Sequence, residues 1–287
     1  MISCSYAFEA IGTRWAIETD EPLEPGLQAW LDHRIDDFDA TYSRFRPDSV
    51  LSRYAAVGGV CELPAEAAPL LEFYRQLYEV TDGAVSPLVG RALEHLGYDP
   101  AYTLRRRPGS ATVPDWDHVL TVEGSVLHAT EPVLIDVGAA GKGYLVDLVA
   151  QELTEAGLSD FLVDGGGDIY RRGTDDHAIG LEDPADPTRV IGVAHLRRGA
   201  LCGSSTNRRS WADGLHHIIN PATAEPTTDV IASWVVADRA MVADGLSTAL
   251  FLTQPADLAP YFAFGYVRLP AAGGVEYSTN FDWEIFT

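Results

Sequence analysis

Apolar residues recur at intervals of three and four along several stretches of the chain and predict amphipathic helices. The first helix carries apolar side chains on one side from Leu27 to Tyr42, with charged residues opposite. The same spacing predicts helices from about Glu66 to Val80, up to a stop at Gly157, and from about Arg239 to Leu252. Each of these helices has one side that must pack against other elements.

Other segments have the composition and spacing typical of β-strands. The stretch from Tyr6 to Thr19 predicts a strand pair broken at Ile11-Gly12-Thr13, and Glu123-Gly124 predicts a hairpin turn. Further strands are expected near residues 177–181, 190–196 and 200–203, separated by Asp-Pro and Arg-Gly turns, and at 231–236.

One stretch, Leu134 to Asp147, combines an apolar run, a carboxylate and a turn of small residues. It predicts a strand, a tight turn after Asp136, and a helix that begins near Lys142. Small residues let a ligand approach the backbone, and the free N–H groups of a helix start favour an anion such as a phosphate. The alternative is an ordinary glycine-rich turn with a solvated Lys142, because the spacing matches neither a Walker loop nor a dinucleotide fingerprint.

The helix that follows residues 231–236 carries two oxygen-bearing side chains four residues apart. Asp238 is expected to cap this helix, and Asp244 and Thr248 lie on one of its sides among apolar neighbours. Such a pair suits a hard cation such as Mg²⁺. The alternative is that Thr248 bonds back to its own helix while Asp244 faces solvent.

Composition limits the classes of function. The chain has 287 residues with 46% hydrophobic content, which suits one folded unit with a large core. Its formal charge of −22 argues against general attraction to nucleic acid or to an anionic membrane. An anionic substrate would then need a metal ion or a few well-placed cations.

Cysteine usage and the N-terminal stretch indicate a cytoplasmic protein. Cys4, Cys61 and Cys202 show no disulfide or zinc spacing. No signal peptide, lipoprotein signal or apolar stretch long enough for membrane insertion is expected.

Six segments, taken in order, resemble the ApbE-like FAD:protein FMN transferases. They are Ile11-Gly12-Thr13, the run from Tyr42 to Arg53, the run from Ile135 to Asp147, Asp164 to Asp168, His217 to Thr223, and Ala243 to Leu250. The resemblance implies an α+β fold related to the T-fold, with antiparallel sheets packed with helices around a central FAD cleft. It also implies a single flavin transferase domain over residues 1–287.

The resemblance further implies an activity and a set of site residues. FMN would pass from FAD to a Thr or Ser hydroxyl of an acceptor flavoprotein, and AMP would leave. Mg²⁺ would be held by Asp244, Thr248 and the Ala139 carbonyl, with His217 activating the acceptor hydroxyl. The residues expected to bind FAD are Ile11, Tyr54, Leu96, Gly97, Tyr98, Asp136 and Lys142. If the segment is extended, His216 and His217 point to opposite sides, so only one of them should face the cleft.

Some positions depart from the family pattern and keep two alternatives open. Asn220 stands where Asp is usual, Ala224 where Gly is usual, and Cys202 lies where Ser is usual. The alternatives are an FAD pyrophosphatase that uses water as the acceptor and a non-catalytic FAD-binding protein. A ring stacked against Tyr54 would retain FAD, which favours the transferase.

Overall fold

The computed structural model describes residues 3–211 and 214–286. The helices of this structure pack against one large antiparallel sheet. The helices are α1 (Pro25–Tyr42), α2 (Val50–Val57), α3 (Ala68–Val80), α4 (Gly90–His95), α5 (Trp116–Val119), α6 (Gly141–Glu155), α7 (Ala240–Ala249) and α8 (Pro255–Leu258), with 3₁₀ turns at Ala65–Ala67 and Pro87–Val89. The strands are β1 (Cys4–Ala10), β2 (Thr13–Thr19), β3 (Gly59–Glu62), β4 (Leu120–Glu123), β5 (Val126–Ala129), β6 (Phe161–Gly165), β7 (Asp168–Asp183), β8 (Asp186–Ser205), β9 (Ser210–Trp211), β10 (Leu215–His216), β11 (Ile219–Asn220), β12 (Glu225–Pro226), β13 (Val230–Ala237), β14 (Gly265–Pro270), β15 (Glu276–Tyr277) and β16 (Trp283–Ile285).

The strand order places the first and the last strand in one sheet. Within the described residues the order is β1, β2, β6, β7, β8, β13, β14 and β15, and β16 pairs with β8. All of these pairs are antiparallel. The main apolar core lies between this sheet and the helices, and a second cluster lies under the long hairpin of β7 and β8. The α+β class with antiparallel sheets is confirmed.

Helix α6 and helix α7 pack directly against each other, and a glycine makes their approach possible. A Cβ built on Gly143 would lie 2.3 Å from the Ala240 carbonyl oxygen and 2.7 Å from the Asp244 Cβ. The start of α7 is held by α6, because the Asp147 carboxylate accepts from the Ala240 and Met241 N–H groups at 2.7 and 3.0 Å. The two helices that carry the expected site residues are therefore locked together at their N-terminal ends.

Two sequence expectations about local structure are wrong at α7 and in β8. Asp238 does not cap α7; the N-cap is Arg239, which makes no capping side-chain bond, and Asp147 satisfies the free N–H groups instead. The expected strands at 190–196 and 200–203 are one strand, β8, whose pairing with β7 continues through Gly199. Gly199 has φ 112°, so the chain bends there without leaving the sheet.

The apolar run before Asp136 is buried as expected but is not a strand. Residues 132–137 have no regular secondary structure, and Val133, Leu134 and Ile135 are buried in the core. The segment is fixed by other contacts: the Asp136 N–H donates to the Pro87 carbonyl at 2.7 Å. The helix expected after the turn is confirmed as α6.

Among the helices of the described residues, none has both the length and the apolar character that a bilayer crossing requires. The cytoplasmic location stays a prediction from the sequence.

Candidate active site

A cavity of about 1170 Å³ opens between the sheet and the helices, at the turn that precedes α6. Its walls come from the β1–β2 turn, the end of α1, the turn before α6, the Asp164–Gly167 loop, the end of β8, the segment around His217, and α7. Among the described residues, six of the chain's 20 basic residues and five of its 42 acidic residues line the cavity. The cavity is thus nearly balanced in charge within a strongly acidic protein, which makes it the best place for an anion to bind.

The floor of the cavity has a buried cluster of two carboxylates and one ammonium. Asp244 and Asp168 are 5% and 0% exposed, and the Lys142 ammonium pairs with the Asp168 carboxylate. The Gly143 N–H donates to Asp244 Oδ2 at 2.9 Å, which fixes the Asp244 side chain against the first turn of α6.

The charges in this cluster do not cancel. Burial, together with the nearby Asp168 charge, raises the pKa of Asp244 well above its usual value. Burial alone would lower the pKa of Lys142, but Asp168 and Asp244 outweigh it and raise that pKa. With both carboxylates ionised, one negative charge is left uncompensated in a buried place, and a cation is the natural partner for it.

The residues at the cluster fit a divalent cation. Among the described residues, Asp168 Oδ1 is buried without a hydrogen-bond partner, so the site has free carboxylate capacity. Thr248 Oγ1 lies one helical turn beyond Asp244 on α7, 3.3 Å from Ser204 Oγ, and Ala139 lies in the turn at the cavity wall. Within the described residues no three His, Cys, Asp or Glu side chains are placed to bind a metal together. A donor set of carboxylate, hydroxyl and carbonyl oxygens instead suits a hard ion such as Mg²⁺.

Asp136 is engaged within the protein on both of its oxygens. Its carboxylate pairs with Arg44, and Oδ1 accepts from the Gly138 N–H at 2.6 Å. Burial would raise the pKa of Asp136, but the Arg44 charge and the Gly138 hydrogen bond outweigh it and hold the pKa below its usual range. Asp136 therefore shapes the turn before α6 and holds Arg44 in place.

An aromatic wall stands beside Arg44. The guanidinium carbon lies 4.1 Å from the centre of the Phe45 ring and 4.9 Å from that of Tyr98, and Nη1 donates to the Tyr98 carbonyl at 2.8 Å. Phe45 stacks with Tyr102 at 5.3 Å between ring centres, and Tyr98 stacks with Trp211 at 5.5 Å. All four rings line the cavity, so a flat aromatic ligand has an apolar surface to pack against.

The two adjacent histidines have different environments, as expected from their alternation. His216 is 5% exposed, and both its ring nitrogens bond to the backbone, to the Thr227 carbonyl at 2.8 Å and to the Ile218 N–H at 3.3 Å. His217 lines the cavity, and its Nδ1 has no hydrogen-bond partner among the described residues. Burial, aided by the Arg209 charge, lowers the pKa of His217 to about 3, so the ring is neutral near pH 7.

The structure brings most of the sequence-predicted site residues to this one cavity. The residues that line it are Ile11, Tyr98, Asp136, Ala139, Lys142, His217, Asp244 and Thr248. The other three are not in the wall. Tyr54 is 5% exposed and its hydroxyl donates to the Gly59 carbonyl at 3.1 Å, while Leu96 and Gly97 are buried behind Tyr98 and Trp211.

Three residues at or next to the cavity were not predicted from the sequence as site residues, namely Arg44, Asp168 and Arg209. Arg44 is one of three arginines within ten residues, with Arg46 and Arg53, which is unusual in so acidic a chain, and Asp168 ends the Asp-Gly-Gly-Gly-Asp stretch, so both had a visible signal. Arg209 had none, because it lies in a turn between β8 and β9 whose position depends on the long hairpin.

The three departures from the family pattern are accommodated by the fold. Asn220 Oδ1 accepts from the Ala222 N–H at 2.9 Å and closes the turn. Ala224 has φ 55°, a left-handed conformation that glycine adopts with less strain. Cys202 is fully buried, and its thiol donates to the Ala240 carbonyl at 3.5 Å.

Comparison with known proteins gives consistent results. The profile of the ApbE family matches residues 11–264. A protein of Rhodobacter capsulatus named FAD:protein FMN transferase is 29% identical over 278 residues, which cover 88% of this chain and 52% of that protein. The chain thus spans about half the length of that relative. A Vibrio cholerae protein of the same name is 28% identical over 244 residues, covering 79% of this chain and 73% of that protein.

Solved structures share the whole fold. The ApbE protein of Thermotoga maritima superposes with a TM-score of 0.85 at 24% identity, covering 96% of this chain and 97% of that one. The flavin transferase ApbE of Vibrio cholerae gives a TM-score of 0.80 at 23% identity, with 97% of both chains covered. The profile match extends over most of the chain and includes every residue placed in the cavity wall; the chain belongs to the ApbE family.

Proposed function

We propose that this protein is an FAD:protein FMN transferase that moves FMN from FAD to a Thr or Ser hydroxyl of an acceptor flavoprotein and releases AMP. The observation that carries the proposal is that a single cavity holds both a carboxylate and ammonium cluster suited to a metal-bound pyrophosphate and a neutral histidine. The names of the relatives support the same activity. We further propose that residues 1–287 act as one flavin transferase domain.

The proposal assigns a metal ion to the floor of the cavity. Asp244, Thr248 and the Ala139 carbonyl would hold Mg²⁺, and the uncompensated negative charge of the buried cluster supports this assignment. When bound, Mg²⁺ supplies positive charge that offsets the pyrophosphate and the charge that develops on it during transfer.

The remaining residues orient FAD. Lys142, on the first turn of α6, would contact phosphate oxygens, and its position in the cavity wall beside the same cluster supports this role. Ile11 and Tyr98 line the cavity and offer apolar contact to a ring of FAD. Tyr54 lies in the core, so the aromatic wall of Phe45, Tyr98, Tyr102 and Trp211 takes over the stacking role that the sequence suggested for it.

His217 is the proposed base. The acceptor hydroxyl oxygen forms a bond to the phosphorus of the FMN half, and its proton passes to His217. The phosphorus–oxygen bond to the AMP half breaks, and AMP leaves with that bridging oxygen and its electron pair. A neutral imidazole can accept such a proton, and a positioned base is typically worth about 10²–10⁴-fold in rate.

The test is to measure AMP release from FAD with Mg²⁺, in the presence and in the absence of an acceptor flavoprotein. A transferase releases AMP in step with flavin bound to the acceptor, and releases little without it. AMP release that is equally fast without acceptor would show an FAD pyrophosphatase. FAD binding without AMP release under either condition would show a non-catalytic flavin-binding protein.

A further inference from the structure

Among the described residues, Arg209 is half-buried and has no carboxylate partner, whereas Arg14, the other unpaired cation of the cavity wall, is exposed. The Arg44 and Lys142 cations pair with buried carboxylates, and Arg208 Nη2 lies 2.9 Å from the Glu182 carboxylate. Within residues 3–211 and 214–286, no carboxylate oxygen lies within 4.0 Å of the Arg209 guanidinium. A half-buried cation without a partner is unfavourable, above all in a chain with 42 acidic residues to choose from.

The surroundings of Arg209 place its charge at the cavity and not at the outer surface. The residue lies between β8 and β9 and lines the cavity. Its positive charge acts on three other residues of the wall, namely Tyr98, Asp136 and His217. These three residues come from different segments of the chain, and all of them line the same cavity as Arg209.

On the basis of the proposed function, we propose that the Arg209 guanidinium is a further catalytic group, which binds the non-bridging oxygens of the FMN phosphoryl group while it is transferred. His217 takes the proton of the attacking hydroxyl, and that hydroxyl must lie within bonding reach of the phosphorus. A cation on the His217 side of the cavity would therefore contact the phosphoryl group under attack, whereas Lys142 is paired with Asp168 at the carboxylate cluster.

In this proposal two cationic regions have different roles, one around Arg209 and the other around Lys142. Charge spreads over the oxygens of the transferring phosphoryl group in the transition state, so a guanidinium there stabilises the transition state more than bound FAD. The same charge also lowers the pKa of His217. The charged or titratable groups that act on His217 are Arg209, His216 and Asp136.

The test compares Arg209→Gln and Arg209→Lys with the wild type in FMN transfer with FAD, Mg²⁺ and an acceptor flavoprotein. We expect Arg209→Gln to lower kcat by roughly 100- to 1000-fold with little change in KM for FAD, and Arg209→Lys to recover part of that loss. Because a positive charge beside His217 is removed, the acid limb of kcat/KM should move to higher pH in Arg209→Gln, which a purely structural role would not cause.

The matched control is Arg198→Gln, which removes the same charge from an exposed position on β8 outside the cavity. It should leave transfer unchanged. The inference is overturned if Arg209→Gln stays within about threefold of the wild type in kcat, or if its whole loss appears in KM. A wild-type protein that transfers no FMN would instead contradict the proposed function, so the two failures are distinguishable.

Discussion

The Asp244 carboxylate is where the proposed metal site can be tested at the scale of one residue. Asp244→Asn removes a charge but keeps the size of a side chain that is 5% exposed. In the wild type, Mg²⁺ at about 100 times its Kd should add about 2.7 kcal/mol to the free energy of unfolding. Asp244→Asn should gain little from Mg²⁺ and should lose AMP release, with FAD binding weakened less than catalysis.

The measurement is thermal unfolding with Mg²⁺ and with a chelator, combined with FAD titration. Asp238→Asn is a suitable control, because Asp238 is exposed and lies just before the same helix. A full Mg²⁺-induced rise of Tm in Asp244→Asn would contradict the metal assignment.

The second residue-scale prediction concerns the pH dependence that His217 imposes. Its pKa is about 3 in the folded protein, below the ordinary value near 6.5. Between these pH values the unfolded chain binds a proton that the folded protein does not. The stability contributed by neutral His217 is therefore complete above about pH 6.5 and is lost as the pH falls towards 3. His217→Asn should lose less stability than the wild type between pH 7.5 and pH 5, as measured by urea unfolding.

The same variant separates catalysis from binding. His217→Asn should slow transfer by roughly 10²–10⁴-fold while FAD affinity changes little. His216→Asn should have a smaller effect on transfer, because His216 bonds only to the backbone in the described structure. If His216→Asn were the slower of the two in single-turnover transfer, the assignment of the base would be wrong. In the wild type, bound pyrophosphate should raise the pKa of His217, so the acid limb of kcat should lie at higher pH than that of kcat/KM.

At the scale of elements, the contact between α6 and α7 holds the proposed metal donors together. Gly143→Ala would place a methyl group 2.3 Å from the Ala240 carbonyl oxygen, and backbone must move to relieve that contact. We expect overpacking to lower the free energy of unfolding by about 1–3 kcal/mol. The free energy of Mg²⁺ binding should fall by more than this, because Asp244 shifts with α7.

A suitable control for Gly143→Ala is a helical glycine at which an added methyl group meets no other atom. Gly26 lies in the first turn of α1, and a Cβ there meets no atom within 4 Å. Gly26→Ala should leave Mg²⁺ affinity unchanged and should not destabilise the protein. Equal Mg²⁺ affinity in Gly143→Ala and in the wild type would show that the approach of the two helices does not control the site.

Helices and hairpins with strong local signals could be predicted from the sequence. The spacing from Leu27 to Tyr42 gave α1, and Ile11-Gly12 gave the β1–β2 turn, since both patterns depend on neighbours in the chain. The cap of α7 could not be predicted, because its partner, Asp147, lies 93 residues before the first N–H group it accepts from. The Leu134–Ile135 run has the composition of a strand but is buried without pairing, because tertiary contacts decide what an apolar run does.

Residues of the candidate site that lie within one sequence motif could be predicted, whereas those brought together by several elements were harder to predict. Asp244 and Thr248 share one side of α7, and Lys142 lies in the first turn of α6, so the resemblance identified all three. The aromatic wall was harder to predict from the sequence. Tyr54 and Tyr98 are both plausible ring-binding residues, and only the packing of the fold places Tyr54 in the core and Tyr98 at the cavity. The position of Arg209 at the cavity could not be predicted, because it depends on the path of the long hairpin of β7 and β8.

At the scale of the whole molecule, a chain of net charge −22 concentrates cations around one cavity. Such a distribution would let an acidic protein hold a pyrophosphate, and it supports the proposal of a metal ion in the site. The central claim is that the held molecule is FAD and that its FMN half moves to a protein hydroxyl.

The most direct test is the intact mass of an acceptor flavoprotein after incubation with this protein, FAD and Mg²⁺. We expect the acceptor to gain the mass of one FMN less one water, with one AMP released for each modified chain. Replacing the acceptor threonine by valine, or omitting Mg²⁺, should abolish the gain. An unmodified acceptor in the presence of bound FAD, or AMP released without any gain in acceptor mass, would contradict the claim.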